Sequence, residues 1–243
     1  IRACKAGRVL HDQIIRCGFE SHSSIGNSLV DMYAKCGSLE EARAVFNKLD
    51  KRVVVSWGVM ISGYAQFERI SCALKLLCEM HSENIEADNV TYLCILSACS
   101  KMGALKQGRL MHDQIIVNGL NMDVAVTNAI IDMYAKSGCL AEARRVFDTS
   151  VNRDIITWGT LIGGYTHCEE HSLALDCLSE MQKQGMRPVE VIYTSILSGC
   201  GYTGRLADGQ HHFHYMTEDL NIKPSIEQYG CMVDLLAKVG SLD

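Results

Sequence analysis

The chain repeats itself at a distance of 101 residues. Between Ser23 and Val53, fourteen of 31 residues recur at that offset on one grid. The grid holds Asn27 and Asn128, D-M-Y-A-K at 31–35 and 132–136, Gly37 and Gly138, Leu39 and Leu140, E-A-R at 41–43 and 142–144, and V-F at 45–46 and 146–147. HDQII stands at 11–15 and again at 112–116, and Trp57-Gly58 returns as Trp158-Gly159. Self-similarity at a fixed period implies stacked units, each burying its apolar face only against its neighbours. Counting globular domains from the 243-residue length is therefore the wrong question.

The offset divides the chain into 1–22 (the tail of one repeat), 23–53, 54–88, 89–123, 124–154, 155–189, 190–225 and 226–243 (the head of another). Three unlike units of 35, 35 and 31 residues make one superperiod, and 190–225 has 36. Each unit reads as two helices. In 124–154, Ile130, Ile131, Tyr134 and Ala135 form one apolar face, and Leu140, Ala143, Val146 and Phe147 form a second at helical spacing. Gly138 falls where the first helix must end in a left-handed residue, and Gly37, Gly103, Gly204 and Gly240 are its equivalents. The two Trp-Gly units have Glu68 and Glu169 there, which predicts a turn built differently. A small residue recurs at one place in every second helix (Gly7, Ala42, Ala73, Gly108, Ala143, Ala174, Gly209), predicting close helix–helix approach. Fourteen helices follow, and no strand signal competes. Because both ends are expected to lie inside repeats, a targeting peptide or a C-terminal domain is expected outside this sequence.

Composition narrows the chemistry. Two prolines and 48% hydrophobic residues exclude a disordered chain. No apolar run approaches the roughly 18 residues that cross a bilayer, so no membrane partner is expected. A net charge of −5 counts against crude electrostatic attraction to nucleic acid and leaves only a local basic stripe for that purpose. The twelve cysteines contain no C-x-x-C and read as small, buried, reduced residues rather than disulfides or metal ligands. H-x-E occurs at 81–83 and 167–169, but no P-C-x-x-C follows to complete a zinc deaminase site. His211, His212 and His214 lack an acid or thiol at a ligand spacing and read as a surface cluster. No cofactor and no catalysis are expected.

At V-S-W-x-x-M-I-S-G-Y-A (55–65), A-L-K-L-L-C-E-M (73–80), N-S-L-V-D-M-Y-A-K-C-G-S-L-E-E-A-R-x-V-F (27–46) and Y-x-x-M-V-D-L-L-A-K-x-G-S-L (229–242), the chain resembles the pentatricopeptide repeat proteins, and within them the plant PLS subclass. That resemblance covers essentially the whole chain. It implies an all-α fold, a right-handed α-solenoid superhelix of stacked helix-turn-helix repeats, with 23–53 and 124–154 as S motifs, 54–88 and 155–189 as P, 89–123 as L, 190–225 as L2, 1–22 as a partial L and 226–243 as a partial S2. It also implies a groove for single-stranded RNA in which one repeat reads one base.

The family's reading positions, the fifth residue of a motif and its last, fall on Asn27 with Val53, Gly58 with Asp88, Leu93 with Asp123, Asn128 with Asp154, Gly159 with Val189, and Thr194 with Ser225. Asn128 with Asp154 resembles the uracil-preferring combination, and Gly58 and Gly159 depart from the pattern by having no side chain. Position two (Ser24, Val55, Val90, Ala125, Ile156, Val191) flanks the bases, interhelical packing being the alternative for the same residues. Lys35, Lys101, Lys136 and Lys238, at position thirteen, form a candidate phosphate ladder. The alternative for Lys35, Lys136 and Lys238 is an i, i+4 pair with Asp31, Asp132 and Asp234. Asp88, Asp123, Asp154 and Ser225 each precede a helix and are also candidate N-caps.

The resemblance implies an RNA-binding module of an organellar factor in a mitochondrion or chloroplast, with C-to-U editing-site recognition as the process. The competing expectation is a protein-interaction scaffold that binds multiple organellar RNA editing factors through 89–123 and 190–225. End-to-end self-association of the half-repeats is a third.

Overall fold

The computed structural model describes residues 2–20, 22–120 and 123–240. Among them are fourteen α-helices and no strand, and no helix is long and apolar enough to cross a membrane. The chain forms two compact units, 1–120 and 121–243.

The first unit holds α1 (Arg2–Arg16), α2 (Ser23–Lys35), α3 (Leu39–Asn47), α4 (Val54–Gln66), α5 (Ile70–Ser82), α6 (Asn89–Met102) and α7 (Leu105–Val117). The second holds α8 (Val124–Lys136), α9 (Leu140–Thr149), α10 (Ile155–His167), α11 (His171–Lys183), α12 (Glu190–Thr203), α13 (Leu206–His214) and α14 (Ile226–Gly240). Consecutive helices pair as antiparallel hairpins. The first helices also stack on one another, α2 on α4 on α6 in one unit and α8 on α10 on α12 on α14 in the other. This is the α-solenoid arrangement expected of helical repeats.

The stacking is close because the sequence removes side chains where backbones meet. A Cβ on Gly63 would lie 2.8 Å from that of Ala34, and one on Gly164 would lie 2.5 Å from that of Ala135. On the second helices, Ala42, Ala73, Ala143 and Ala174 are buried, and a Cβ on Gly209 would strike Leu235.

One cassette holds the same junction in both units. Phe46 meets Trp57 edge-on at 4.9 Å between ring centroids, and Phe147 meets Trp158 at 4.6 Å. Arg43 reaches Glu79 at 2.6 Å and Arg144 reaches Glu180 at 2.9 Å, tying each second helix to the next. Arg52 and Arg153 lie over the phenylalanine rings at 5.6 and 4.8 Å. The recurring alanine, V-F and tryptophan letters are therefore buried structure and the recurring arginines clasp its edge, with each edge-on ring pair contributing roughly 0.5–1.5 kcal/mol beyond its burial.

The turns inside the hairpins correct one expectation. Gly37, Gly103, Gly138 and Gly204 are left-handed, with φ of 76°, 61°, 75° and 66°. Glu68 and Glu169 are left-handed as well, at φ 61° and 63°. The same backbone bond closes all six turns: Ser38 N–H to the Tyr33 carbonyl, Arg69 to Tyr64, Ala104 to Cys99, Cys139 to Tyr134 and Glu170 to Tyr165 at 2.9 Å, and Arg205 to Cys200 at 3.1 Å. The Trp-Gly units thus build the same turn and hold a glutamate in the conformation that glycine adopts without strain. Gly240 is corrected in the other direction, since it is the last helical residue of α14.

The single extra residue of 190–225 also has a place. Gly108 and Gly209 keep the 101-residue offset, whereas Asp123 and Ser225 lie 102 apart. Between them α13 runs into a π-helical turn, Tyr215–Asp219, in which Leu220 N–H donates to the Tyr215 carbonyl at 3.1 Å. A π-turn absorbs one inserted residue without breaking the helix.

All twelve cysteines are free, but only Cys99, Cys177 and Cys200 are buried, while Cys17, Cys36, Cys72 and Cys78 are exposed. The reading of a uniformly buried set is corrected accordingly. Burial pushes the Cys99 thiol up to about 11 and the Cys177 and Cys200 thiols up to about 12.

Candidate nucleic-acid interface

Positions two, six, nine and thirteen of a first helix fall on one face by helical spacing. In α4 these are Val55, Val59, Ser62 and Gln66, and in α12 they are Val191, Ser195, Ser198 and Tyr202. This face is open in both units. Val55, Val90, Ile156 and Val191 are 61%, 62%, 65% and 71% exposed, and Ser24 and Ala125 are exposed with them. Interhelical packing is thereby excluded for position two. Within each unit such bare aliphatic side chains, Val55 and Val90 in the first and Ile156 and Val191 in the second, suit the flat faces of bases.

Clefts open between adjacent first helices. In the first unit a cavity of about 360 Å³ is lined by Asp31, Lys35, Val55, Gly58, Asp88 and Val90, and another of about 360 Å³ by Gln66, Val90, Leu93, Cys94, Ser97 and Lys101. In the second unit, Asp132, Lys136, Gly159, Thr160, Gly163 and His167 line about 310 Å³. Ser198, Tyr202, Cys231, Asp234 and Lys238 line about 100 Å³. Gly58 has a packing role too, since a Cβ there would lie 3.3 Å from the Thr91 hydroxyl; one on Gly159 would lie 3.5 Å from Ile192.

The lysine ladder is less available than its spacing suggests. Lys35 is held by Asp31 at 2.7 Å and Lys136 by Asp132 at 2.9 Å. The Lys238 ammonium donates to the Gly201 carbonyl at 2.9 Å and lies 5.3 Å over the Tyr202 ring. Lys101 is exposed beside the second cleft. A phosphate would have to displace pairs that, on an exposed helix, are worth only a few tenths of a kcal/mol.

At the reading positions, capping dominates. Asp88 accepts from Thr91 N–H at 2.9 Å and from its hydroxyl at 2.7 Å, and Asp123 accepts from Val126 N–H at 3.1 Å. Asp154 accepts from Thr157 N–H and from its hydroxyl, both at 2.8 Å. Burial alone would raise the Asp154 carboxyl, but the bonds from Thr157 and a further one from the Asn128 side chain hold it below its ordinary value. Residues five and last of 124–154 therefore meet. The side-chain carbonyls of Asn128 and Asn27 are buried without a partner.

Ser225 departs from its expected role as a cap. Its hydroxyl is buried and unpaired, while its N–H donates to Gln228 Oε1 at 3.0 Å. The buried Gln228 amide also donates to Thr194 Oγ1 at 3.1 Å, and that hydroxyl donates to the Glu190 carbonyl at 3.2 Å. Thr194 is thus largely occupied. Val53 caps α4 through its backbone alone, its N–H donating to Ser56 Oγ at 3.2 Å.

Other motifs resolve into structure. G-C-G-Y-T-G at 199–204 has the spacing of a dinucleotide loop, but it lies at the C-terminal end of α12 with Gly204 as the left-handed cap. His211 stacks on Tyr215 with the rings 21° apart. Among the described residues no three His, Cys, Asp or Glu side chains converge on a metal position. Sequence reasoning missed Gln228, and it missed Tyr202, which stands in the place of Lys101 one superperiod on.

Comparison with known proteins follows the same geometry. The PPR repeat family profile matches residues 52–101, and the PPR repeat profile matches 27–53, 126–155 and 156–186. From Arabidopsis thaliana, pentatricopeptide repeat-containing protein CRR2, chloroplastic, is 37% identical over 98% of the chain, which covers 36% of that protein. Pentatricopeptide repeat-containing protein At1g06140, mitochondrial, is 36% identical over 100% of the chain, which covers 45% of it. The chain thus spans less than half the length of these relatives. The crystal structure of the pentatricopeptide repeat protein PPR10 from maize superposes with a TM-score of 0.71 at 23% identity, over 87% of this chain and 31% of that one. PPR10 in complex with an 18-nt psaJ RNA element superposes with a TM-score of 0.54 at 19% identity, over 97% and 41%.

Proposed function

Since the chain belongs to the pentatricopeptide repeat family, we propose that the open face of its first helices binds single-stranded RNA and positions the strand for a partner that carries the chemistry. The observation that carries this reading is the bare aliphatic side chain repeated on the open face of each unit, Val55 and Val90 in one and Ile156 and Val191 in the other, with lysine-edged clefts in both. PPR10, a protein of the same fold, has been crystallised with an RNA element. In this reading the units 23–53, 54–88 and 89–123 and their successors are S, P and L motifs of the PLS subclass. Asn128 with Asp154 reads a uracil, the compartment is a mitochondrion or a chloroplast, and the process is C-to-U editing-site recognition. This chain's part is binding and positioning.

A scaffold reading is favoured by separate observations. Lys35 and Lys136 are already paired, Thr194 is engaged, and the net charge is −5. Its partners would be editing factors at 89–123 and 190–225. One experiment separates the two: binding to a random single-stranded RNA pool at low and near-physiological salt, with sequencing of the retained fraction. A steep fall with salt and an enriched uracil that vanishes in Asn128→Ala support the reader. No retention at low salt supports the scaffold.

A further inference from the structure

We infer that Tyr202 is a stacking platform for an unpaired nucleobase of single-stranded RNA, held in place by Lys238. This deepens the RNA reading above and rests on it. The tyrosines at positions four and eleven of α12 and α10 are interior, with Tyr193 at 0% exposure and Tyr165 at 5%, whereas Tyr229 in α14 is open at 55%. Tyr202 is 68% exposed, and it occupies position thirteen of α12, where α8 and α14 carry Lys136 and Lys238. It stands on the same face as Val191, one of the bare aliphatic side chains of this unit.

The surroundings fix the ring. The Lys238 ammonium lies 5.3 Å above it and is anchored by its bond to the Gly201 carbonyl at 2.9 Å. The cleft of about 100 Å³ lined by Ser198, Tyr202, Cys231, Asp234 and Lys238 adjoins it. A cation over an aromatic ring leaves the remaining ring surface as an apolar plane in a cationic setting, which is the combination that stacks bases without reading their edges. Tyr202 would therefore add affinity independent of sequence, beside reading positions in this repeat that are occupied by Gln228.

The test compares the wild-type chain with Tyr202→Ala, Tyr202→Leu, Tyr202→Phe and Lys238→Gln, binding a random-sequence single-stranded RNA pool at several salt concentrations. Tyr202→Ala and Tyr202→Leu should bind roughly 5- to 100-fold more weakly with an unchanged salt slope, while Tyr202→Phe should bind as wild type. Lys238→Gln should also weaken binding. Pool RNA containing 5-iodouridine should photocrosslink to the peptide carrying Tyr202. Tyr202→Leu keeps apolar bulk without a ring, so it decides the matter if Tyr202→Ala fails to fold. Wild-type binding that neither Tyr202→Ala nor Tyr202→Leu reduces overturns the platform and leaves the RNA reading standing. A wild-type chain that retains no RNA overturns both.

Discussion

Glu169→Gly should stabilise the protein. Glu169 sits at φ 63°, a conformation that costs an L-residue roughly 1–2 kcal/mol and glycine almost nothing. Glycine takes back about 0.4–1 kcal/mol by loosening the unfolded chain. The net gain is about 0.5–1 kcal/mol, which for a chain of 243 residues raises Tm by roughly 1–4 °C. Glu169→Ala is the control, because alanine suffers the same left-handed strain and should leave stability within about 0.5 kcal/mol of wild type. The structure supplies its own reference, since Gly138 holds the equivalent turn of the preceding hairpin at φ 75° with the same 2.9 Å closing bond. Urea unfolding followed by far-ultraviolet circular dichroism reads the midpoint directly. If the glycine variant is no more stable than the alanine variant, the turn is not strained at that residue and the argument fails. Glu68→Gly, in the first unit, should behave in the same way and add to it, the two turns sharing no partner.

Gly164→Ala should cost about 1–3 kcal/mol, because the new Cβ lies 2.5 Å from that of Ala135, whereas Gly201→Ala, with nothing within 4 Å, should gain about 0.5–1 kcal/mol; denaturant midpoints check both. His171 is buried and replaces Ile70 of the first unit; burial, with Arg205 adding to it, lowers its pKa. The neutral form is therefore the folded one: its stability is complete above the unfolded value of about 6.5 and is lost as pH falls below it toward the folded pKa. His171→Ile should flatten that dependence between about pH 7.5 and 5.5 in unfolding curves, with Asp208 and Cys200 left in place.

The hairpins were legible because an internal repeat tests every assignment twice: a feature at Tyr33 or Phe46 must work again at Tyr134 or Phe147. What the repeat could not tell was which side of a first helix stays open. Helix α10 reads I-I-T-W-G-T-L-I-G-G-Y, apolar nearly all round, and periodicity does not separate the exposed Ile156 from the buried Ile162. The lysine pairing with Asp31 and Asp132 was legible, being local. The role of Ser225 was not, because Gln228 takes the backbone donor and buries the hydroxyl, a competition between two side chains that spacing does not rank. The turns at Glu68 and Glu169 were misread for a related reason: a closing bond and packed flanks hold a residue in a conformation that its own preference opposes.

The proposed base reading falls on the side chain that caps α10, Asp154, and this governs how the site can be probed. Asp154→Ala would lose the α10 cap for about 1 kcal/mol, so weaker RNA binding by that variant would say little about bases. Asp154→Asn keeps a capping oxygen for Thr157 and replaces half of the carboxylate with a donor, so its fold should hold while its base preference moves. Because the folded Asp154 carboxyl sits below its ordinary value, its contribution is present above the unfolded pKa of about 3.9 and lost as pH falls through the folded one. Asp154→Asn should lose that acid-side decline in unfolding curves near neutral stability. Sequencing the RNA retained by Asp154→Asn and by wild type then isolates recognition: a shifted preference opposite 124–154 assigns the carboxylate to a base, and an identical profile leaves Asp154 as a helix cap alone.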